Sequence, residues 1–306
     1  MNPDTKLSTE QLLQICKRHN IKYHSHSRIT TGFSHEIHLL NRTLIVKLFN
    51  TTKSRNFNTE LVLLQSDLDF PKPKLIASYQ GSGDQDRSYI IMSFVTGYSL
   101  GTKWHEASDN QREQLIKSIS KSLKTINDIK PQAIGDISVD WGKFIEDRIK
   151  NLADKLLTKN ILNNQQVDQI IAKINTNKKY LAGSKLFPVY WDIHFDNFIV
   201  NKQFELQAVV DLENVELTPL DYPLFVVQKL TDEPQKYLSE DYEKYANTKD
   251  YANLKYWYKK YYPQIFAFDN LNERVNLYLL VDTLHLLLDW PNVKELYKKL
   301  EILTQK

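Results

Sequence analysis

"VYWDIHFDNFIV", residues 189–200, sets Asp192, His194, Asp196 and Asn197 between two apolar runs. The apolar texture resumes at once with Phe198-Ile199-Val200, and a second apolar run, "LQAVV", leads from Leu206 to Asp211. These two runs have the length and spacing of a hairpin, which would bring a loop carboxylate, an amide and a second carboxylate to one end. Such a set suits phosphate chemistry. Magnesium takes hard oxygen ligands, usually one or two carboxylates together with substrate phosphates, so an Asn and an Asp can hold it against ATP. A further carboxylate can accept the proton of an attacking hydroxyl. A lone loop Asp is more often a capped turn; the joint spacing is what favours chemistry.

Outward from this stretch the chain changes character at one point. On the amino-terminal side, "STEQLLQICKRHN" opens with Ser8 and Gln11 in capping-box spacing and predicts a helix. "HEIHLLNRTLIVKLFN" predicts a hairpin turning near Asn41-Arg42, and "RNFNTELVLLQSDL" a helix. Strands are expected at "KLIASY" and "SYIIMSFV", separated by the turn cluster Gly81-Ser82-Gly83-Asp84. From 108 to 182 the texture is helical, broken only around Pro131–Gly135, and strands return at 187–191, 196–201 and 205–211 before helices run on. The expectation is an α+β chain: a small sheet-rich lobe over residues 1–95, a larger helical lobe over 96–306, and a border near "SFVTGYSL".

Composition narrows the function classes. The 306 residues are 42% hydrophobic and 25% charged, which is ordinary for a globular protein. Forty basic against thirty-seven acidic residues leave a charge of +3, too slight an excess to suggest a nucleic-acid or membrane partner. The single cysteine, Cys16, cannot make an internal disulfide, and no Cys/His cluster has zinc spacing. "MNPDTKLSTEQ" is unlike a secretory signal, and "LYLLVDTLHLLLDW" is broken by Asp282, His285 and Asp289, so a cytoplasmic protein is expected. The sequence is silent on oligomeric state.

At this point the chain resembles the aminoglycoside phosphotransferase and choline kinase-like family, relatives of the protein kinases. That family's loop typically reads H-G-D-L-H-x-x-N, followed by a hairpin ending in I-D-[WF]-E. "YWDIHFDN" and "VVDLEN" match at Asp192, His194, Asn197, Asp211 and Glu213, while Tyr190 and Trp191 replace the first His and Gly. The resemblance implies a two-lobed protein-kinase-like fold, with Asp192 as base and Asn197 and Asp211 as magnesium ligands. Glu213 becomes either a metal-proximal carboxylate or a solvated turn residue, and His194 either touches the transferred phosphate or holds the loop.

A phosphate-transfer site also needs a cation, and kinase-like lobes supply it from the third strand. Lys47 interrupts the apolar run "LIVKLF", where an unpaired ammonium would be costly, so it should have a partner. The resemblance points to Glu60, with Glu36 as a rival. G-x-G-x-x-G is absent, but Gly32-Phe33-Ser34-His35 is similar to the family's G-x-S-N loop, which would place Gly32 and Ser34 against phosphate. "IIMSFVTGYSL" resembles the connector between lobes, implying that Met92 flanks the adenine and the backbone of Ser93 and Val95 binds its edge.

After Asp211 there is little room for the peptide platform of a protein kinase, so the expected acceptor is a hydroxyl of a small molecule: an amino-alcohol, a sugar or an antibiotic. Pro219 and Asp221 resemble the family's G-D-P anchor, although a helix cap explains Asp221 equally well. The tyrosines from Tyr222 to Tyr262 and Trp257 could stack on a ligand, though such residues more often pack a core. Asn272, Asn276, Asp282, His285 and Asp289 form a polar stripe on one predicted helix, a solvated face or a pocket wall. Trp141 is expected as a helix anchor, with the same pocket as its alternative. The reading is an ATP- and magnesium-dependent O-phosphotransferase, with GTP as the alternative nucleotide; the rival is a catalytically silent nucleotide- or metabolite-binding regulator on the same fold.

Overall fold

The computed structural model describes residues 7–29, 35–49, 54–82, 86–238 and 240–305. They form two compact units, each assembled from two stretches of chain: Met1–Ala107 with Phe195–Val215, and Ser108–His194 with Glu216–Lys306. The border expected at residue 95 is thus placed differently, because the first unit runs on to Ala107 and takes back a later hairpin.

The first unit begins with α1 (Thr9–Arg18), capped as its sequence demands: Ser8 Oγ accepts from the Gln11 N–H and the Gln11 side chain accepts from the Ser8 N–H. Its Leu12, Ile15 and Cys16 pack with Leu40, Val46, Leu48, Tyr89 and Ile91 of the sheet; each Leu or Ile so buried contributes roughly 1.5–3 kcal/mol. The strands are β1 (His26–Ile29), β2 (Glu36–Leu40), β3 (Leu44–Leu48), β4 (Leu75–Tyr79) and β5 (Tyr89–Ser93), antiparallel in the order β1-β2-β3-β5-β4. Asn41 and Arg42 turn the β2–β3 hairpin at φ 53° and 61°. Asn41 is pinned there, accepting from the His24 N–H at 2.7 Å and donating to the Lys22 carbonyl at 2.6 Å. The helix α2 (Ser54–Gln65) follows β3. β1 was not anticipated, because "HSRI" alternates neither in hydropathy nor in burial.

Glu36, the rival partner for Lys47, is otherwise engaged. It binds Arg87 Nη1 at 2.7 Å, His38 Nε2 at 3.0 Å and the Leu7 N–H at 2.8 Å. Burial opposes its ionisation, but these three donors prevail and hold it at about 2 against an ordinary 4.5. A depressed carboxylate contributes stability that is full above the ordinary value and lost as pH falls through the folded one. Glu36→Gln should therefore cost about 2–4 kcal/mol at neutral pH. The gap from wild type should close between pH 4.5 and about 2; urea unfolding across that window is the check, and a constant gap would refute it.

A short strand, β6 (Tyr98–Ser99), leads into α3 (Leu100–Lys103). The chain then enters the second unit through α4 (Asp109–Ile126), α5 (Trp141–Thr158) and α6 (Asn164–Asn177), each started by a polar cap: Ser108, Asp140 and Asn163. A second break in this helical stretch, missed in the sequence, falls at 159–163, where Asn160 takes φ 56° and does the terminating work glycine usually does. β7 (Phe187–Tyr190) ends this passage.

Back in the first unit, β8 (Phe198–Val200) and β9 (Leu206–Val209) make the expected hairpin, and β6 pairs with β8, Ser99 opposite Ile199. Gly97 allows this approach: a Cβ there would lie 2.6 Å from the Val200 carbonyl oxygen of β8, and Ser99 Oγ donates to Asp196 Oδ1 just before that strand. This pairing, together with the ring of Phe195 4.4 Å from Trp104, is why the hairpin belongs to the first unit.

The rest of the second unit comprises β10 (Val215–Thr218), which pairs with β7, and the helices α7 (Leu224–Asp232), α8 (Glu240–Glu243), α9 (Thr248–Tyr251), α10 (Leu254–Tyr261), α11 (Leu271–Asp289) and α12 (Lys294–Thr304). α11 is its central helix, with Leu277, Leu280, Leu284 and Leu287 fully buried. Asp221, at 0% exposure, is held by Arg274 of α11 through both oxygens, at 2.6 and 2.8 Å, so it anchors rather than caps. Asp221→Ala strands a buried guanidinium and should lower unfolding free energy by about 3–5 kcal/mol in urea titration; a loss under 1 kcal/mol would contradict this account. Among the described residues no helix is long and apolar enough to cross a membrane.

Candidate active site

Lys47 stands on β3, the middle strand of the five-stranded sheet, paired in register with Ile37 and Ile90. It is 2% exposed, and an ammonium so enclosed must be matched. Its Nζ donates to Glu60 Oε2 of α2 at 2.7 Å and to Asp211 Oδ1 at 3.0 Å, while Glu213 Oε2 stands at 3.7 Å. Burial works against the Lys47 charge, but the carboxylates of Asp211, Glu60 and Glu213 outweigh it and hold the ammonium above the usual lysine range. Glu60 is pushed up to about 7 by burial and by its like-charged neighbours, against the pull of Lys47.

Two devices aim the acids. Asp211 closes β9 in a left-handed backbone, φ 53° and ψ 46°, a conformation costing a non-glycine residue about 1–3 kcal/mol and tolerated best by Asp and Asn. Lys47 holds its carboxyl below the usual range, and 43% of the side chain stays exposed. Glu213 is buried, and His35 Nε2 donates to its Oε2 at 2.6 Å. Burial raises the Glu213 carboxyl, yet His35 and Lys47 bring it below the ordinary value. The resemblance left Glu213 between a metal-proximal acid and a solvated turn; it is neither solvated nor idle.

Asn197 lies on the turn Phe195–Asn197 entering β8, and its carbonyl accepts from the Val210 N–H at 2.9 Å. One hairpin end therefore carries Asn197 beside the residue preceding Asp211. An amide oxygen and a partly exposed carboxylate, both hard donors, fit a magnesium ion that shares its coordination with phosphates.

Asp192 and His194 belong to the second unit, on the loop after β7, with His194 Nε2 at 3.5 Å from Asp192 Oδ1. The Tyr190-Trp191 departure is absorbed by packing. Tyr190 is 1% exposed, and the Trp191 ring lies 6.0 Å from Tyr222 and 6.1 Å from Phe225, nearly parallel to the latter.

The other predicted residues are less uniform. Gly32 and Ser34 lie outside the described residues. Met92 is buried on β5, and the Ser93 N–H is given to the Lys74 carbonyl at 2.9 Å, which leaves the backbone role expected of Ser93 to its carbonyl oxygen. Asp282 takes Lys229 Nζ at 2.8 Å, His285 takes Arg148, and Asp289 is exposed at the end of α11. Asn272 is exposed as well. Of the tyrosines, Tyr251, Tyr258 and Tyr262 are core, as is Trp257, whereas Tyr256 is 63% exposed. Trp141 is a buried anchor whose Nε1 donates to the Tyr278 hydroxyl at 3.3 Å. The pairing of His35 with Glu213, across 178 residues, and the contacts of Arg148 and Lys229 were missed; no local pattern signals them.

A middle-strand lysine matched by a helix glutamate and a hairpin aspartate, on an antiparallel sheet continued by a helical unit, defines a protein-kinase-like fold. The sequence pattern of the APH phosphotransferase enzyme family matches residues 26–257, and the chain belongs to that family. Solved structures agree on the fold. Aminoglycoside phosphotransferase APH(2'')-IIa, in its streptomycin–ATP complex, superimposes with a TM-score of 0.71 at 17% identity, covering 99% of this chain and 97% of that one. Aminoglycoside 2'-phosphotransferase-IIIa with GDP gives 0.70 at 15% identity, over 98% and 99% of the two chains. ADP-bound APH(2'')-Ib gives 0.69 at 17%, over 98% and 97%. No curated protein sequence matches.

Proposed function

We propose that the chain transfers the γ-phosphate of ATP to a hydroxyl of a small molecule, with magnesium as the metal and GTP as the alternative nucleotide. The observation that carries this reading is the Lys47 ammonium, buried yet matched by Glu60 at 2.7 Å and Asp211 at 3.0 Å. A fixed ammonium beside an exposed acid is the electrostatic equipment for anionic phosphates.

Glu60 fixes the Lys47 stem so that its charge faces the nucleotide phosphates rather than the core. His35 and Glu213 brace the same ammonium from the other side. Asn197 and Asp211 would hold magnesium, which when bound supplies positive charge against the phosphates. Asp192 accepts a hydrogen bond from the acceptor hydroxyl and orients its oxygen on the γ-phosphorus. As the new P–O bond forms, the bond to the β–γ bridging oxygen breaks, ADP departs, and the hydroxyl proton passes to Asp192. Met92 and the backbone of Ser93 and Val95 take the base, and Gly32 and Ser34 are the residues assigned to the phosphates by the family resemblance. Asp192, His194, Asp282, His285 and Asp289 are the residues assigned to the acceptor side.

Solved structures of the same fold include complexes with streptomycin, gentamicin and kanamycin. Those ligands make antibiotics one arm of the test, beside amino-alcohols and sugars. ADP release from ATP and magnesium, with and without each acceptor, measures the activity. Release that no acceptor stimulates, and no slow hydrolysis in its absence, would favour the silent regulator.

A further inference from the structure

A circuit of side chains in the helical unit starts and ends at Asp192. His194 stands 3.5 Å from its carboxylate, and the imidazole lies 5.3 Å from the Tyr237 ring. Lys229 Nζ sits 4.7 Å from the Tyr237 centroid and donates to Asp282 Oδ1 at 2.8 Å. One turn along α11, His285 Nε2 receives Arg148 Nε at 3.2 Å and Nη2 at 3.0 Å. The Arg148 charge acts on the Tyr222 phenol, whose ring lies 6.0 Å from Trp191, the chain neighbour of Asp192. Among the described residues, the buried Trp191 Nε1 and Asp282 Oδ2 on this circuit have no partner.

The charges on the circuit are not those of a site for a polycation. Asp282 is already neutralised by Lys229. Arg148, by contrast, touches an imidazole, and no carboxylate among the described residues lies within salt-bridge distance of it. A guanidinium offers five N–H donors and stays charged at every working pH. Two donors on one histidine nitrogen leave others to be used, and a partly buried cation with no carboxylate among the described residues at salt-bridge distance favours an anion. The burial of His285 and the nearby Arg148 both lower its basicity, so the imidazole stays the neutral acceptor that this arrangement requires.

We propose that the molecule phosphorylated at Asp192 also carries an oxyanion, a carboxylate or a phosphate ester, seated on Arg148. Trp191 Nε1 and Asp282 Oδ2 then read an acceptor and a donor group between the two ends. Arg148 is a specificity residue: it binds the far end of the substrate and takes no part in the transfer of phosphate and proton described above. The inference rests on the phosphotransferase reading.

The full chain is given ATP, magnesium and one acceptor from three classes: hydroxy-carboxylates (glycerate, gluconate), a sugar phosphate (glucose 6-phosphate), and amines lacking an acid (ethanolamine, choline, kanamycin). ADP release is followed. At least one oxyanion-bearing acceptor should exceed every amine in kcat/KM by 100-fold or more, and the class that does so distinguishes carboxylate from phosphate ester. Arg148→Ala should raise KM for that acceptor at least 30-fold, with a smaller change in kcat, and Arg148→Lys should recover part of the loss. Arg148→Lys keeps the charge and the stem, so it decides the matter if the alanine variant does not fold. A preference for amines, an unmoved KM in either variant, or ATP hydrolysis with no acceptor consumed overturns the inference and leaves the phosphotransferase reading standing. Absence of both hydrolysis and transfer in the wild type removes that reading, and this one with it.

Discussion

Asp192→Ala is expected to lower kcat by at least about 10³-fold, while the dissociation constant for magnesium-ATP stays within threefold of wild type. The two halves of this expectation come from different units of the fold. Lys47, Glu60, Asn197 and Asp211, the groups assigned to nucleotide and metal, all lie in the sheet-bearing unit, whereas Asp192 follows β7 in the helical one. Its loop is fastened by the packing of Trp191 on Tyr222 and Phe225, which the substitution does not touch. What disappears is the carboxylate proposed to accept the proton and aim the hydroxyl. Calorimetric titration with nucleotide and steady-state ADP release separate the two effects. Asp192→Asn, which keeps a hydrogen-bonding group but not the basicity, should be nearly as slow. Full turnover in either variant would end the assignment of Asp192 as base.

Asp211→Ala should cost activity on the same scale, about 10³-fold or more, but through the nucleotide. Wild-type protein should bind ATP more tightly with magnesium than without, and the variant should lose that difference. Stability should fall as well, because Lys47 keeps Glu60 at 2.7 Å but loses the Asp211 charge, and alanine tolerates the left-handed backbone less well than Asp. Lys47→Ala goes further: it leaves Glu60, Asp211 and Glu213 without their shared cation and should unfold the sheet-bearing unit at lower denaturant. Equal ATP affinity with and without magnesium in the wild type would exclude the metal role given to Asp211 and Asn197.

The parts of the fold set by short-range chemistry were legible before any coordinates. Ser8 and Gln11 announce α1, Asn41 announces the turn between β2 and β3, and the apolar runs at 198 and 206 announce the hairpin that carries Asn197 and Asp211. The site was legible where a rule of cost applied: a lysine inside "LIVKLF" had to have a partner, and it has two at 3.0 Å or less. What stayed hidden depended on distance along the chain. Nothing near His35 points to Glu213, and nothing in "DWGKFIEDRI" shows that Arg148 meets a histidine rather than an acid. The polar stripe on α11 illustrates the same limit: Asp282 and His285 turn to Lys229 and Arg148, whereas Asp289 faces solvent.

The interrupted make-up of the sheet-bearing unit bears on how the protein is born. A ribosome delivers residues through Ala107 and must then synthesise the whole of α4, α5 and α6 before Phe195 can cover Trp104, and β6 waits just as long for β8. Until then a large aromatic ring and an unpaired strand edge are open to the wrong neighbours. Nascent chains arrested between these two points should lean on chaperones more heavily than chains arrested after Val215.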